Sequence, residues 1–332
     1  MIITRTPLRV SFIGGGTDVP AWYERYGYGQ VYAAAISLYV NVIVAPHHAP
    51  GRYRIAYSTV EDVDSIDHIS HDRLRCALRR TGVLTGGVEI HTIAGIPGRG
   101  SGLGSSSALL VGALKALSEW QRQHRTWEQI AEQAASVEIE DLKTGAGKQD
   151  AYIASFGGVA TFEFENTDPM VKLSAPYLAQ AITDKWSKWM PLFYTGMVRD
   201  AGPALKALES RIGTPEADEA MITTLGLIPD LRNAMFDCDF AAVGKLLDQA
   251  WSLKKKANPA ATTPEISAMY KRAMDAGALG GKLCGAGGGG YLVLVVPPRR
   301  WDSVAEALYR KPIAVQYGVG GSHTILGERR HD

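Results

Sequence analysis

Leu8, Val10 and Phe12 alternate with Arg9 and Ser11 near the start of the chain. That period of two predicts a strand with its apolar face on a core and Arg9 and Ser11 on the other face. Ile2-Ile3-Thr4 leads into it through Pro7, and Gly14-Gly15-Gly16 breaks it. Val31 to Val44 is rich in β-branched and aromatic residues and predicts a second strand. Shorter ones are expected over 52–57 and 87–92, so the first third should be rich in strands with few helices. The period changes after residue 104. Leu109, Leu110, Ala113, Leu114 and Leu117 recur at helical spacing, and Ile130 to Leu142, opened by Trp127 and Glu128, predicts a second amphipathic helix. Residues 156–162 return to strand.

Residues 165–190 hold Pro169, Pro176 and many polar positions. A junction between two domains, 1–175 and 185–325, is expected there. The second half predicts a strand over 190–194, helices over 203–211, 217–236 and 239–256, and a break bounded by Pro259 and Pro264. A helix over 265–276, a buried strand over 291–296, a helix over 304–308 and a strand over 313–317 follow. Strands and helices mixed without strict βαβ alternation predict an α+β fold, and the 332 residues suit two domains.

Composition narrows the function classes. The formal net charge is +1 and no charge run stands out, so no nucleic-acid partner is expected. The longest apolar run, Tyr32 to Ala45, carries Ser37 and Asn41 and falls short of the roughly 20 residues that span a bilayer. No secretory pattern opens the chain, so a cytoplasmic location without a membrane partner is expected. Cys76, Cys238 and Cys284 form neither a CxxC pair nor a metal-ligand spacing, and suit thiols in a reducing compartment.

The stretch Pro97-Gly98-Arg99-Gly100-Ser101-Gly102-Leu103-Gly104-Ser105-Ser106-Ser107-Ala108 sets four glycines and four serines directly before the periodic helix. Glycines let a backbone approach a ligand closely. At a helix start, unpaired N–H groups and the positive end of the dipole favour an anion. Serine hydroxyls add donors to phosphate oxygens and can ligate Mg²⁺. The stretch reads as a phosphate cradle, and it is not a Walker A loop because no GK[ST] follows. Gly285, Gly287 and Gly290 satisfy GxGxxG, but a strand follows them where a dinucleotide fingerprint needs a helix.

This loop resembles the second signature of the GHMP kinases, PxxxGLGSSxA, with one residue more between Pro97 and Gly102 than that pattern has. Pro7 to Asp18, with its GGGTD turn, is similar to the first signature in the form of the D-glycero-D-manno-heptose 7-phosphate kinase branch. Gly280 to Tyr291 is similar to the third. Gly147-Lys148-Gln149-Asp150-Ala151-Tyr152 with Phe156-Gly157-Gly158, Tyr194 to Arg199, and Trp251 to Lys255 also resemble that branch. Asn258 to Pro264 departs from it.

The resemblance implies a ribosomal S5 domain-2-like N-terminal domain, a ferredoxin-like C-terminal domain, and ATP between them. It implies an ATP- and Mg²⁺-dependent kinase acting on a small sugar phosphate, most closely on the anomeric hydroxyl of D-glycero-D-manno-heptose 7-phosphate. Fucose- or galactose-like acceptors, or a silent ATP-binding protein on the same fold, are the alternatives, and a homodimer is left open. Asp150 is implied as catalytic base or orienting carboxylate. Arg9 is implied to meet transferring phosphate charge, a structural salt bridge being its plainer role. Residues 97–107 are implied to hold the nucleotide. Gly15, Gly16, Thr17, Asp18, Lys148, Gln149, Arg199, Gly285, Ala286, Gly287 and Gly288 are implied to meet the acceptor. Ser106 and Glu138 are implied to hold the metal, with Glu140 as rival to Glu138.

Overall fold

The computed structural model describes residues 1–96, 100–165, 171–174, 178–198 and 200–327. The chain runs β1 (Ile2–Ile13), α1 (Pro20–Tyr26), β2 (Tyr28–Pro46), β3 (Tyr53–Ala56), β4 (Val60–Val63), α2 (Asp72–Thr81), β5 (Val88–Ala94), α3 (Ser105–Trp120) and α4 (Trp127–Ser136). It continues α5 (Gln149–Phe156), β6 (Val159–Glu165), β7 (Lys172–Ser174), α6 (Gln180–Trp189), β8 (Leu192–Tyr194), α7 (Gly202–Arg211), α8 (Pro215–Gly226), α9 (Ile228–Asp237) and α10 (Phe240–Ala257). It closes with α11 (Pro264–Asp275), β9 (Gly280–Leu283), β10 (Tyr291–Val295), α12 (Trp301–Leu308), β11 (Pro312–Ile313) and β12 (His323–Gly327).

Among the described residues the strands form two sheets. The larger has eight strands in the order β12-β1-β2-β5-β3-β4, with β6 attached to β2 and β7 to β6. β2 is long enough to be shared: Tyr28–Ala34 pairs with β6 and Val40–Pro46 with β5, while β1 lies along its other edge. Pro7 can donate no ladder hydrogen bond. It sits at a register shift of β1 against β2, beyond the four residues that pair with β12. The smaller sheet is antiparallel, in the order β11-β8-β10-β9.

Helix α3 lies across β1 and β2 and is almost wholly interior. Ala108, Leu110, Val111, Ala113, Leu114 and Leu117 are fully buried in one core shared with Leu8, Val10 and Phe12 of β1. Each of the leucines and valines contributes about 1.5–3 kcal/mol by leaving water, each alanine less. That core continues into Trp186, Leu192, Val293 and Val295 of the second half. The floor between the two sheets is therefore packed rather than hinged.

The α+β expectation holds, and several elements depart from the periodicity. The segment read as a junction contains α6, whose Trp186 is fully buried and donates its indole N–H to the Met235 carbonyl at 3.0 Å. The helix expected over 217–236 breaks between α8 and α9 at Gly226-Leu227, because Pro229 removes a backbone donor in the first turn of α9. The helix expected over 130–142 ends at Ser136 and passes into a π-helical turn, Val137–Asp141. The strand expected over 313–317 is confined to β11, and Tyr317 bridges to Ile36 of the larger sheet. β9 was read only as glycine loop, yet all four of its residues are buried. None of the described helices is long and apolar enough to cross a membrane.

Candidate active site

Three glycine-rich segments line one cavity of about 720 Å³, within the usual size of a small-molecule site. One follows β1, one precedes α3 and one follows β9. The second and third are in direct contact. Gly102 and Gly285 each have φ of +71°. A Cβ on Gly102 would stand 2.4 Å from the Cys284 carbonyl oxygen, and one on Gly285 would stand 2.5 Å from Gly102 Cα. Only glycine satisfies both the left-handed backbone and that approach. The Tyr291 amide donates to the Ser101 carbonyl at 3.2 Å, which completes the seam.

Gly100, Ser101, Gly102, Gly104, Ser105, Ser106 and Ser107 line the cavity. The opening turn of α3 faces it, so the helix presents the amide donors and dipole that suit a phosphate. Leu103 is fully buried in the core instead and offers no side chain to the cavity. Pro97, Gly98 and Arg99 lie outside the described residues, as does Arg199.

Arg9 and Asp150 form the centre of the site. Arg9 Nε and Nη2 donate to Asp150 Oδ1 and Oδ2, each at 2.6 Å, and Nη1 donates to the Gly102 carbonyl at 2.5 Å. The guanidinium is nearly buried, its side chain 6% exposed against 21% for Asp150. A planar fork meeting both carboxylate oxygens fixes direction as well as distance. Arg9 thus joins the strand, the phosphate loop and the first turn of α5.

Asp18 was expected to meet sugar hydroxyls. It is buried at 1% exposure, and protein donors already occupy its carboxylate. The Gly16 and Gln149 amides donate to it at 2.9 and 3.1 Å, and the Gln149 side chain at 3.2 Å. Burial raises its pKa, the Gly16 amide opposes that, and the charge of Asp150 adds to it. Its role in this arrangement is to tie the glycine turn to the start of α5, which aims Asp150. Gly147 serves the same junction, since a Cβ there would stand 2.0 Å from Asp18 Oδ2. Gln149 lines the cavity, while its Oε1 is buried with no hydrogen-bond partner.

The π-helical turn separates the two rival glutamates. Glu138 is 4% exposed and lines the cavity with Ser106, whereas Glu140 is exposed and accepts from the Ser136 hydroxyl at 2.8 Å. Arg73 of α2 reaches into the same space and donates to Glu138 Oε1 at 2.9 Å. A hydroxyl and a carboxylate are hard oxygen donors. Two protein ligands with the remaining positions left to phosphate and water are what Mg²⁺ commonly takes. No cluster of three or more His, Cys, Asp or Glu suited to a metal occurs among the described residues, so any metal here would need the nucleotide's oxygens.

The basic residues separate in the same way. Lys148 does not line the cavity; its ammonium pairs with Glu132 at 2.9 Å, on the far side of α5's first turn. Gly287 and Gly288 pack on Ala261 instead of lining the cavity with Gly285 and Ala286. Lys254 and Lys282 do line it. Sequence reasoning passed over Lys282, because the strand Gly280–Leu283 that buries it reads in the sequence as part of a glycine loop. It also passed over Arg73, whose partner is far along the chain and which carries no local signal.

The family description "GHMP kinases N terminal domain" matches residues 71–158, and "GHMP kinases C terminal" matches residues 228–314. A D-glycero-alpha-D-manno-heptose 7-phosphate kinase of Campylobacter jejuni is 29% identical, over 95% of this chain and 95% of that protein. A galactokinase of Pyrococcus furiosus is 25% identical over 94% of each chain. Among solved structures, a D-glycero-D-manno-heptose 1-phosphate kinase from Bacteroides thetaiotaomicron superposes with a TM-score of 0.77 at 26% identity, covering 99% of this chain and 100% of that one.

Proposed function

The chain belongs to the GHMP kinases and is a phosphotransferase of the sugar-kinase kind with ATP as donor; on that footing we propose that its acceptor is D-glycero-D-manno-heptose 7-phosphate, phosphorylated on the anomeric hydroxyl to the 1,7-bisphosphate. The observation that carries the reading is the position of the Arg9–Asp150 pair. It stands between the serine-rich start of α3, suited to a polyphosphate, and the turn Gly15-Gly16-Thr17 with Gln149, suited to a polyol.

The residues divide the work of phosphoryl transfer, in which positioning and charge stabilisation dominate. The first turn of α3 and the Gly100–Gly104 backbone hold the nucleotide phosphates. The turn Gly15-Gly16-Thr17 and the start of α5 at Gln149 shape the end of the cavity that takes the sugar. Asp150, itself held by Arg9, orients the anomeric hydroxyl and takes its proton. A bond forms between that oxygen and the γ-phosphorus as the bond to the bridging oxygen of ADP breaks. Ser106 and Glu138 would hold Mg²⁺, which would supply positive charge against the phosphates.

The test is ADP release with Mg·ATP across heptose 7-phosphate, mannose 6-phosphate, sedoheptulose 7-phosphate, galactose, fucose and mevalonate. The proposal expects kcat/KM for heptose 7-phosphate to exceed every other acceptor by about a hundredfold, the scale that several lost polar contacts give. Turnover confined to an unphosphorylated sugar would keep the kinase and overturn the acceptor.

A further inference from the structure

Lys254 and Lys282 line the cavity and have no counter-ion among the described residues. Lys282, on β9, is 6% exposed, and its ammonium donates to the Ser11 and Phe12 carbonyls of β1, each at 2.9 Å. An ammonium has three donors, so one remains. Lys254, in the last turn of α10, donates to the Gly285 carbonyl and lies 5.9 Å from the centre of the Trp251 ring. No ion pair reaches either lysine among the described residues. The nearby carboxylates are engaged, Asp150 by Arg9 and Asp18 by Gly16 and Gln149. Burying two unpaired cations beside the Arg9 guanidinium is unfavourable unless an anion joins them.

We propose that Lys254 and Lys282, with the backbone of Gly285 and Ala286 beside them, form a second anion subsite that takes a phosphate group, built from α10 and β9 and separate from the start of α3. Both lysines open onto the same cavity as the reacting centre. Burial, with each lysine's cationic neighbours, lowers Lys282 to about 7 and Lys254 to about 8, the state expected of ammoniums that lack a counter-charge. The phosphate has two possible sources, the one already on the acceptor and the terminal one of the nucleotide. Only the choice of source rests on the proposed function; the subsite itself does not.

The experiment is calorimetric titration of the full chain with inorganic phosphate, with heptose 7-phosphate and with Mg·ATP, each alone. Wild type is compared with Lys254→Gln, Lys282→Met and Lys282→Arg. The subsite predicts that phosphate affinity falls at least tenfold in Lys254→Gln and Lys282→Met and partly returns in Lys282→Arg. A parallel loss for heptose 7-phosphate alone assigns the acceptor's phosphate; a parallel loss for Mg·ATP alone assigns the nucleotide's. Folded variants that bind all three ligands like wild type, or a wild type that binds no phosphate, overturn the proposal. Lys282→Met also removes the stitch between β9 and β1, so Lys254→Gln carries the test if that variant fails to fold. Failure of the heptose reading is separately visible, as wild-type protein that binds inorganic phosphate but not heptose 7-phosphate.

Discussion

Arg9 binds both carboxylate oxygens of Asp150 at 2.6 Å, and its third nitrogen is held by the carbonyl of Gly102 in the phosphate loop. The Asp150 carboxylate is thereby fixed to the glycine-serine loop before α3, and under the proposed function the first would orient the acceptor and the second the donor. Asp150→Asn keeps the size of the group and loses its charge, so it should lower kcat by about 10²–10⁴, and because it leaves the nearly buried Arg9 guanidinium without its counter-ion it should also lower the melting temperature. Arg9→Lys keeps charge but cannot form the fork, and should lower kcat without restoring the geometry. Steady-state kinetics with circular dichroism checks both. A near-wild-type kcat in folded Asp150→Asn would remove Asp150 from the chemistry.

Arg73 donates to Glu138 at 2.9 Å and so helps to position it. Removing such an outer partner commonly costs about 10–100-fold in metal affinity. Arg73→Ala should therefore raise the Mg²⁺ concentration needed for half-maximal activity about tenfold, with kcat largely regained at saturating Mg²⁺. Glu138→Gln should raise it further and not recover. Glu140→Gln should change neither, because that side chain faces solvent. Magnesium titrations of the three variants separate these outcomes.

The seam between Gly102 and Gly285 has a stability consequence. Gly285→Ala adds a Cβ in a left-handed conformation, 2.5 Å from Gly102 Cα. A loss of about 2–4 kcal/mol is expected from the combined strain and overlap, read as a fall in the urea midpoint with unchanged slope. Gly27→Ala is the control: its φ is also positive, at +74°, but no atom lies within 4 Å of the added carbon, so its loss should be smaller.

Lys282 makes stability pH-dependent with a definite sign. Its folded pKa is depressed to about 7, by burial first and by Lys254 and Arg9 beside it, against the opposing Cys284 thiol. Between about 7 and the unfolded lysine value the unfolded chain holds a proton that the folded chain lacks. Stability contributed by this group is therefore present at high pH and lost as pH falls through about 7, with a slope of up to about 1.4 kcal/mol per pH unit. Lys254, lowered to about 8, acts in the same direction. The ligand-free melting temperature should rise between pH 6.5 and 9 in wild type and rise less in Lys282→Met. Equal slopes would contradict this.

What the sequence disclosed was local, and what it hid was long-range. The phosphate loop, the helix after it and the glycine turn after β1 are continuous stretches, so their residue types carry the signal directly. Asp150 was legible because it lies in such a stretch. Asp18 was legible as a site residue, but only folding shows that Gly16 and Gln149 supply three donors to its carboxylate. Lys148 sits one position before Gln149, yet the first turn of α5 sends its side chain to Glu132. α6 carries Ile182, Trp186 and Trp189 at the i, i+4, i+7 spacing of an amphipathic helix, a signal masked by the prolines and polar positions that made 165–190 read as a junction. The return of β12 to the edge of β1 depends on a pairing that spans nearly the whole chain.

The most direct test of the account is the position of the new phosphate. Heptose 7-phosphate and Mg·ATP incubated with the protein, followed by phosphorus and carbon NMR of the product, should give one new phosphate coupled to the anomeric carbon and one equivalent of ADP. A phosphate on any other carbon, or no product with this acceptor while another sugar is turned over, would contradict it.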